Sequence, residues 1–180
     1  MGNHLAVYNR KIFAVDYVQM MLDGSKTVDI KLANRRIAPY GYIKPGDFMY
    51  IKESSGPVVG RVMIPQVHYY ELEPGSPELL DILLVIQERV GLRDEEHAHR
   101  MFENNSYRKY ATVFELADPI ELPNPVRIEK NNMFTWVPDY HVPLELRMAF
   151  GIGDEVYGEF DEPTDEEGSA SDNNNQFKLR

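Results

Sequence analysis

Short stretches in which apolar and polar residues alternate predict several β-strands in this chain. The clearest stretch runs over residues 27–32. Its polar positions are Thr27, Asp29 and Lys31. Because successive side chains of a strand point to opposite sides, one face of this strand is predicted to be apolar and the other to be charged. The preceding residues 17–22 have the apolar spacing of a short helix, and Gly24 ends that helix because glycine tolerates the left-handed conformation.

A hairpin is predicted after this strand. Pro45 and Gly46 mark a turn that leads into a strand at residues 48–52, where aromatic and branched side chains are frequent. Residues 54–57 then form a second turn before another strand at residues 58–64. The two strands are therefore expected to pair with each other.

Two helices are predicted beyond the hairpin. Apolar residues at helical spacing over residues 79–90 indicate the first, with Ser76 as its N-cap. The second is predicted to begin at Asp94 and to break at residues 104–106. A strand over residues 110–116 comes next, and the prolines that follow it favour short extended segments.

The order of these elements predicts one mixed α+β domain over residues 1–153. It would be built around a small, largely antiparallel β-barrel with flanking helices. The remaining residues, 154–180, carry nine acidic and two basic side chains, which predicts a disordered acidic tail. Such a tail suggests docking on a basic protein partner, or folding back over a positive region of the domain.

The net charge of −10 is unevenly distributed along the 180 residues. Residues 10–61 carry nine Lys or Arg against five Asp or Glu, so the most basic part of the chain includes the charged strand. The absence of cysteine excludes disulfides, thiolate nucleophiles and cysteine-bound metal. No apolar run reaches the roughly 20 residues that cross a bilayer, and the N-terminus has no signal-peptide pattern, so a cytoplasmic protein without a membrane partner is predicted.

A basic and aromatic loop follows the charged strand. It contains Arg35, Arg36, Tyr40 and Tyr42. Arginine contacts phosphate and tyrosine stacks on bases, so this loop is a candidate rim of a nucleotide site. Two other interpretations stay open: the loop covers one end of the barrel, and the charged strand is a solvent-facing strand with weak ion pairs.

The spacing of the charged strand resembles the signature of the ASCH family, a branch of the PUA-like superfamily. That signature is Gly-x-Lys-x-x-Glu-x-Arg after the first helix, followed by a Pro-Gly-Asp turn and a hairpin. The four marked positions are held here by Gly24, Lys26, Asp29 and Lys31, and the turn by Pro45, Gly46 and Asp47. The resemblance implies a barrel whose cleft is lined by the motif and binds RNA or a nucleotide. Lys26, Asp29 and Lys31 would then contact the ligand, with Arg35, Arg36 and Tyr40 at the rim.

The resemblance also implies a second hypothesis, a hydrolase. One branch of the family cleaves the acetyl amide of N4-acetylcytidine with the signature lysine and a threonine, and other relatives are described as ribonucleases. In this chain Lys26 and Asp29 are the catalytic candidates. Asp29 stands where that branch has its threonine, which leaves Thr27 on the same strand face as a substitute nucleophile.

No metal or cofactor is predicted. His97 and His99 differ by two positions, which places them on different faces of a helix and makes them a poor metal-binding pair. The sequence therefore supports three hypotheses about function: a domain that binds RNA or a nucleotide, a hydrolase acting on RNA or a modified nucleoside, and a protein-interaction module that uses the acidic tail.

Overall fold

The structure, a computed structural model, describes residues 1–9, 15–129 and 134–153. Strands and helices follow one another in mixed order along these residues. The strands are β1 (Asn3–Tyr8), β2 (Val28–Ala33), β3 (Asp47–Glu53), β4 (Val58–Ile64), β5 (Val67–Glu71), β6 (Tyr110–Glu115), β7 (Ala117–Val126) and β8 (Trp136–Val137). The helices are α1 (Tyr17–Leu22), α2 (Glu78–Val90), α3 (Glu95–Asn105) and α4 (Leu144–Ala149). The predicted α+β class is confirmed.

The strands form two hydrogen-bonded sheets. The larger has the order β7-β4-β3-β1-β8, and the smaller has the order β2-β6-β5. Strands β1 and β3 are parallel, whereas the other pairs in both sheets are antiparallel. The predicted hairpin is the β3–β4 pair. The sheets are thus largely antiparallel, as predicted, and closure into a barrel stays a prediction.

Both faces of the smaller sheet are covered. On β6, Ala111 and Val113 pack in a cluster with helices α2 and α3, whereas Phe114 packs in the core of the larger sheet. On β2, Val28 and Ile30 belong to the helical cluster. Because paired residues of neighbouring strands share a face, Asp29, which lies opposite Phe114, points away from the helices. The charged face of β2 is therefore turned towards the larger sheet.

Several predicted boundaries are correct. The first helix coincides with α1, and Asp94 is the N-cap of α3, where its side chain accepts a hydrogen bond from the His97 backbone N–H. The prediction for Ser76 is wrong: Pro77 occupies the N-cap of α2, and the hydroxyl of Ser76 is buried without a hydrogen-bond partner. A fixed backbone angle and a missing N–H suit proline to the start of a helix, so no side-chain cap is needed to define that end.

The proline-rich region was only partly predicted. It forms β7, a ten-residue strand at the edge of the larger sheet. An edge position tolerates proline because one side of the strand has no ladder partner that needs its N–H groups. The acidic segment 154–180 lies outside the described residues, so its predicted disorder and partner stay predictions. Within the described part of the chain, none of the helices combines the length and the apolar character needed to cross a membrane.

Candidate functional site

A cavity of about 810 Å³ follows the edge of β2 that has no strand partner among the described residues. One side of it is formed by β2 and the segment just before it, and the other by α3 and the residues that flank this helix. Ile30, from the apolar face of β2, lines the cavity together with Asp29 and Lys31 from the charged face. The cavity therefore wraps around the free edge of the strand.

Lys26 is buried beneath this cavity, with its side chain only 2% exposed. Its ammonium lies 3.0 Å from Asp29 Oδ1 and donates hydrogen bonds to the carbonyl oxygens of Val28, at 2.8 Å, and Val90, at 3.0 Å. The ring of Tyr17 lies 5.5 Å away. An ammonium has three protons, so these three oxygen partners use its whole donor capacity.

Asp29 joins both signature lysines. Its Oδ1 faces Lys26, and its Oδ2 lies 3.1 Å from Lys31 Nζ and accepts a hydrogen bond of 2.7 Å from the Tyr8 hydroxyl. The Lys31 ammonium also lies 3.9 Å from the centre of the Tyr8 ring. Its side chain is 29% exposed, so Lys31 is the signature lysine that the cavity can present to a ligand.

The protonation states of this cluster follow from burial and charge. Burial alone would raise the pKa of Asp29, but Lys26 and Lys31 outweigh it and hold that pKa well below its ordinary value. Burial raises the pKa of the Tyr8 hydroxyl, and the Asp29 carboxylate raises it further. Burial lowers the pKa of Lys26, and the Asp29 carboxylate opposes this shift without cancelling it. The cluster is therefore an ionised acid held between two cations and a neutral phenol.

The opposite wall of the cavity is basic and aromatic. Arg93 precedes α3, Arg100 lies on it, and Arg108 follows it, and all three line the cavity. The guanidinium of Arg108 lies 4.7 Å from the centre of the Tyr107 ring, which also lines the cavity. Arg100 has one acidic neighbour, Glu96, at 3.7 Å on the exposed surface.

The lining as a whole is positive, although the chain carries a net charge of −10. Five of the lining residues are Lys or Arg, and one is acidic. The acid, Asp29, is already paired with two of those cations. The other three cations are the arginines on the wall formed by α3 and its flanks, and this excess of cations in the lining favours anions.

Not all sequence-predicted residues meet in this cavity. Thr27 is absent from its lining, and its hydroxyl oxygen instead accepts a hydrogen bond of 3.3 Å from Arg89. Arg35, Arg36 and Tyr40 are also outside the lining. Arg36 forms an ion pair with Glu71 on β5, at the far side of the smaller sheet. Their predicted place on the rim of a ligand site, and their part in ligand binding, stay predictions.

Several lining residues were not predicted, among them Tyr8, Tyr17, Arg93 and Arg100. They come from β1, α1, α3 and the residues just before α3, and only tertiary packing brings them to one cavity beside β2. Tyr107 and Arg108, which follow α3, also line the cavity. Among the described residues, no group of three or more His, Asp or Glu is arranged to hold a metal ion.

The fold and the cavity define an α+β domain with a positively charged site at the edge of its smaller sheet. No family model and no curated protein matches the sequence. Among solved structures, the ASCH protein of Zymomonas mobilis is 16% identical with a TM-score of 0.50, over 71% of this chain and 74% of that one. The protein therefore has an ASCH-like fold, as the signature predicted.

Two further solved structures have lower TM-scores. The N-terminal domain of McrB from Staphylothermus marinus is 18% identical with a TM-score of 0.42, over 69% of this chain and 76% of that one. The ASCH domain from Lactobacillus crispatus is 13% identical with a TM-score of 0.37, over 63% of this chain and 78% of that one. Identities this low concern the fold alone, so the function has to be argued from the site.

Proposed function

We propose that the cavity binds RNA or a nucleotide. The observation that carries this proposal is the charge of the lining, which holds five cations and one paired acid in a chain that is acidic overall. Phosphate is the biological anion that such a set of lysines and arginines suits best, because it offers several acceptor oxygens to more than one cation. A volume of about 810 Å³ lies within the usual range of small-molecule sites.

The two walls of the cavity would make different contacts with the ligand. On the β2 wall, Lys31 would contact phosphate, while Lys26 and Asp29 fix its position through the paired charges. Of the predicted ligand contacts, Lys26 would therefore act from beneath the site and Lys31 at its surface. On the opposite wall, Arg108 and Tyr107 would provide a second phosphate contact and an aromatic face for a base.

The test is a binding titration with a nucleoside monophosphate and with a short single-stranded RNA. We expect Lys31→Ala combined with Arg108→Ala to lower the affinity for both ligands by at least about tenfold, because two phosphate contacts are lost. The control is Arg127→Ala, which removes an exposed arginine outside the lining of this cavity. Equal affinities of the cavity variant and the parent would refute the proposal.

The hydrolase hypothesis is less well supported by the same geometry. A catalytic lysine needs a free proton or lone pair near the substrate, whereas the three donors of Lys26 are all engaged. The hydroxyl of Thr27 is bonded to Arg89 and is not in the cavity lining. Incubation with N4-acetylcytidine and with RNA should give no product, and product that disappears in Lys31→Ala would favour the hydrolase instead.

A further inference from the structure

The face of the smaller sheet that carries Lys31 continues beyond the cavity. Lys31 on β2 lies opposite Thr112 on β6, which in turn lies opposite Tyr69 on β5. In the next row, Ala33 lies opposite Tyr110, and Tyr110 lies opposite Glu71. These residues share one face because directly paired residues of neighbouring strands point to the same side. Two tyrosines and an acid therefore lie on the same sheet face as the cavity lysine.

The loop after β2 folds back over this part of the sheet. The Tyr40 ring lies 5.2 Å from that of Tyr69 and 5.0 Å from that of Tyr110, both in edge-to-face arrangement. The guanidinium of Arg36 lies 5.7 Å from the centre of the Tyr110 ring and forms an ion pair with Glu71. The loop is thus fixed to the sheet by aromatic and ionic contacts, and its conformation is defined before any ligand binds.

This loop and the adjoining sheet form a basic and aromatic area, which we call the Arg–Tyr surface. Its members are Arg35, Arg36, Tyr40, Tyr42, Tyr69 and Tyr110. Tyr42 is 49% exposed and Tyr69 is 36% exposed, and the side chain of Arg35 is exposed as well. Glu71 is already paired with Arg36, so its charge does not cancel that of Arg35.

The Arg–Tyr surface adjoins the cavity on two strands. On β2, Ala33 follows the cavity residue Lys31 by two positions, a distance of roughly 7 Å along a strand. Before β6, Arg108 lines the cavity, and the next residue, Lys109, donates its backbone N–H to the Ala33 carbonyl at 3.1 Å. A chain that leaves the cavity past Lys31 and Arg108 therefore comes to Ala33 and Tyr110, where the Arg36 guanidinium lies 5.7 Å from the centre of the Tyr110 ring.

We propose that the ligand of this protein is a single-stranded RNA several nucleotides long, with one nucleotide in the cavity and the following ones on the Arg–Tyr surface. This inference rests on the proposed function and selects the polymer over the free nucleotide. Interleaved cations and exposed aromatic rings suit a single strand, because the cations contact successive phosphates and the rings stack on unpaired bases. A free nucleotide would fill the cavity and leave this surface without a role.

The experiment compares two ligands and three variants of the full chain. The ligands are a nucleoside monophosphate and a single-stranded RNA of about eight nucleotides, a length within the usual range for single-strand sites. The first variant, Arg35→Ala with Tyr42→Ala, alters only exposed side chains of the loop. The second is the cavity variant, Lys31→Ala with Arg108→Ala. The third, Arg127→Ala with Phe134→Ala, is a matched control that removes an exposed arginine and an exposed aromatic residue lining a different cavity.

The surface variant should bind the RNA at least about tenfold more weakly than the parent, because a stacking contact and a phosphate contact are lost. Its affinity for the monophosphate should be unchanged, and the dependence of RNA affinity on salt should become less steep by about one unit of slope. The control should match the parent with both ligands, and circular dichroism should show the same fold for all variants.

Two results would overturn this inference. In the first, the surface variant binds RNA as tightly as the parent, and the cavity variant loses affinity for both ligands. The proposed nucleotide site would then stand, but the RNA would not extend beyond the cavity. In the second, the surface variant and the matched control lose RNA affinity equally. RNA would then bind to exposed arginine and aromatic side chains in general and not to this surface in particular. A cavity variant that retains both ligands would instead refute the proposed function itself.

Discussion

Two buried aspartates, Asp29 and Asp47, have opposite kinds of partner. Asp47 accepts hydrogen bonds from the backbone N–H groups of Gly2, at 2.6 Å, and Lys44, at 2.8 Å, and its third partner is the His4 ring at 3.0 Å. Asp29 is held by three side chains, Lys26, Lys31 and Tyr8. The first carboxylate therefore binds two backbone groups and one side chain, whereas the second binds side chains alone, two of them lysines.

This difference distinguishes two parts of one sequence signature: Asp47 holds a turn of the fold in place, whereas Asp29 lies in the cavity. Asp47 ends the Pro-Gly-Asp turn and begins β3, and its partners tie that turn to the start of β1. The three partners of Asp29 all line the cavity. Both aspartates contributed to the family resemblance, but of the two only Asp29 lines the cavity. The partners of a buried acid thus indicate its role better than its burial does.

The largest expected effect is the loss of stability in Asp29→Ala. This change leaves the buried ammonium of Lys26 without its counterion, and breaking a buried pair in this way destabilises by about 3 to 5 kcal/mol. The free energy of unfolding, measured by urea denaturation, should fall by that amount. Lys26→Ala also breaks the pair, so a loss of RNA affinity in that variant would not by itself identify Lys26 as a ligand contact.

A double variant provides the control for this prediction. Lys26→Met combined with Asp29→Leu removes both charges and replaces them with apolar groups, which is often much less destabilising than removing one partner. Its free energy of unfolding should therefore lie between those of Asp29→Ala and the parent. A loss of less than 1 kcal/mol in Asp29→Ala would mean that the two backbone carbonyls suffice for Lys26.

Asp47→Ala should have the next largest effect on stability and none on binding. The substitution leaves the N–H groups of Gly2 and Lys44 without their acceptor, and hydrogen bonds to a charged group contribute about 1.5 to 3 kcal/mol. We expect a loss of about 2 kcal/mol in urea denaturation. The affinity for RNA should equal that of the parent at a temperature where both are folded. Weaker binding by the folded variant would contradict the division between turn and site.

The sequence predicts local structure well where neighbouring residues decide it. Asp94 caps its helix through a contact three residues away, and the turn at Pro45 and Gly46 sets the start of the hairpin. The long strand β7 was missed because its prolines are unfavourable in a strand with two partners and become acceptable only at an edge. Edge position is a property of the whole sheet, which no local pattern contains.

The site was predicted in part for the same reason. Alternation identified which residues of β2 share a face with Asp29, but not what lies against that face. In the structure the charged side of the strand is turned towards Tyr8 of β1, so a strand expected to be open on one side is covered on both. Arg93 and Arg100 reach the cavity because α3 packs on α2 and shares a hydrophobic cluster with β2, an element more than 60 residues earlier in the sequence.

Acidification should affect the two aspartates to different extents. The paired lysines hold the pKa of Asp29 well below its ordinary value, and hydrogen bonds from His4 and the backbone, which outweigh burial, lower that of Asp47. As the pH falls below about 4, the unfolded chain binds protons before the folded one, so stability present above that pH is lost. Each pKa unit by which folding shifts a carboxyl group corresponds to about 1.4 kcal/mol in the free energy of unfolding.

The measurement is the free energy of unfolding as a function of pH between about 5 and 2. The slope should be flatter in Asp29→Asn than in the parent, because the amide does not titrate. Asp47→Asn should flatten it less, since that carboxylate has only a histidine and two backbone groups as partners. Equal slopes in both variants would mean that side-chain cations do not hold Asp29 more strongly than backbone groups hold Asp47.

The smallest effect on stability is expected for Arg100→Ala, which tests the wall opposite Asp29. The side chain is 61% exposed and its partner Glu96 lies at 3.7 Å, so the pair contributes at most about 0.5 kcal/mol. RNA affinity should nevertheless fall several-fold and depend less steeply on salt, because one of three lining arginines is removed. Glu96→Ala is the matched control and should bind RNA at least as tightly as the parent. If Arg100→Ala keeps the parent's affinity while Lys31→Ala does not, the phosphates contact the β2 wall alone. The ligand contacts would then belong to the Asp29 cluster, through Lys31, and not to the wall formed by α3 and its flanks.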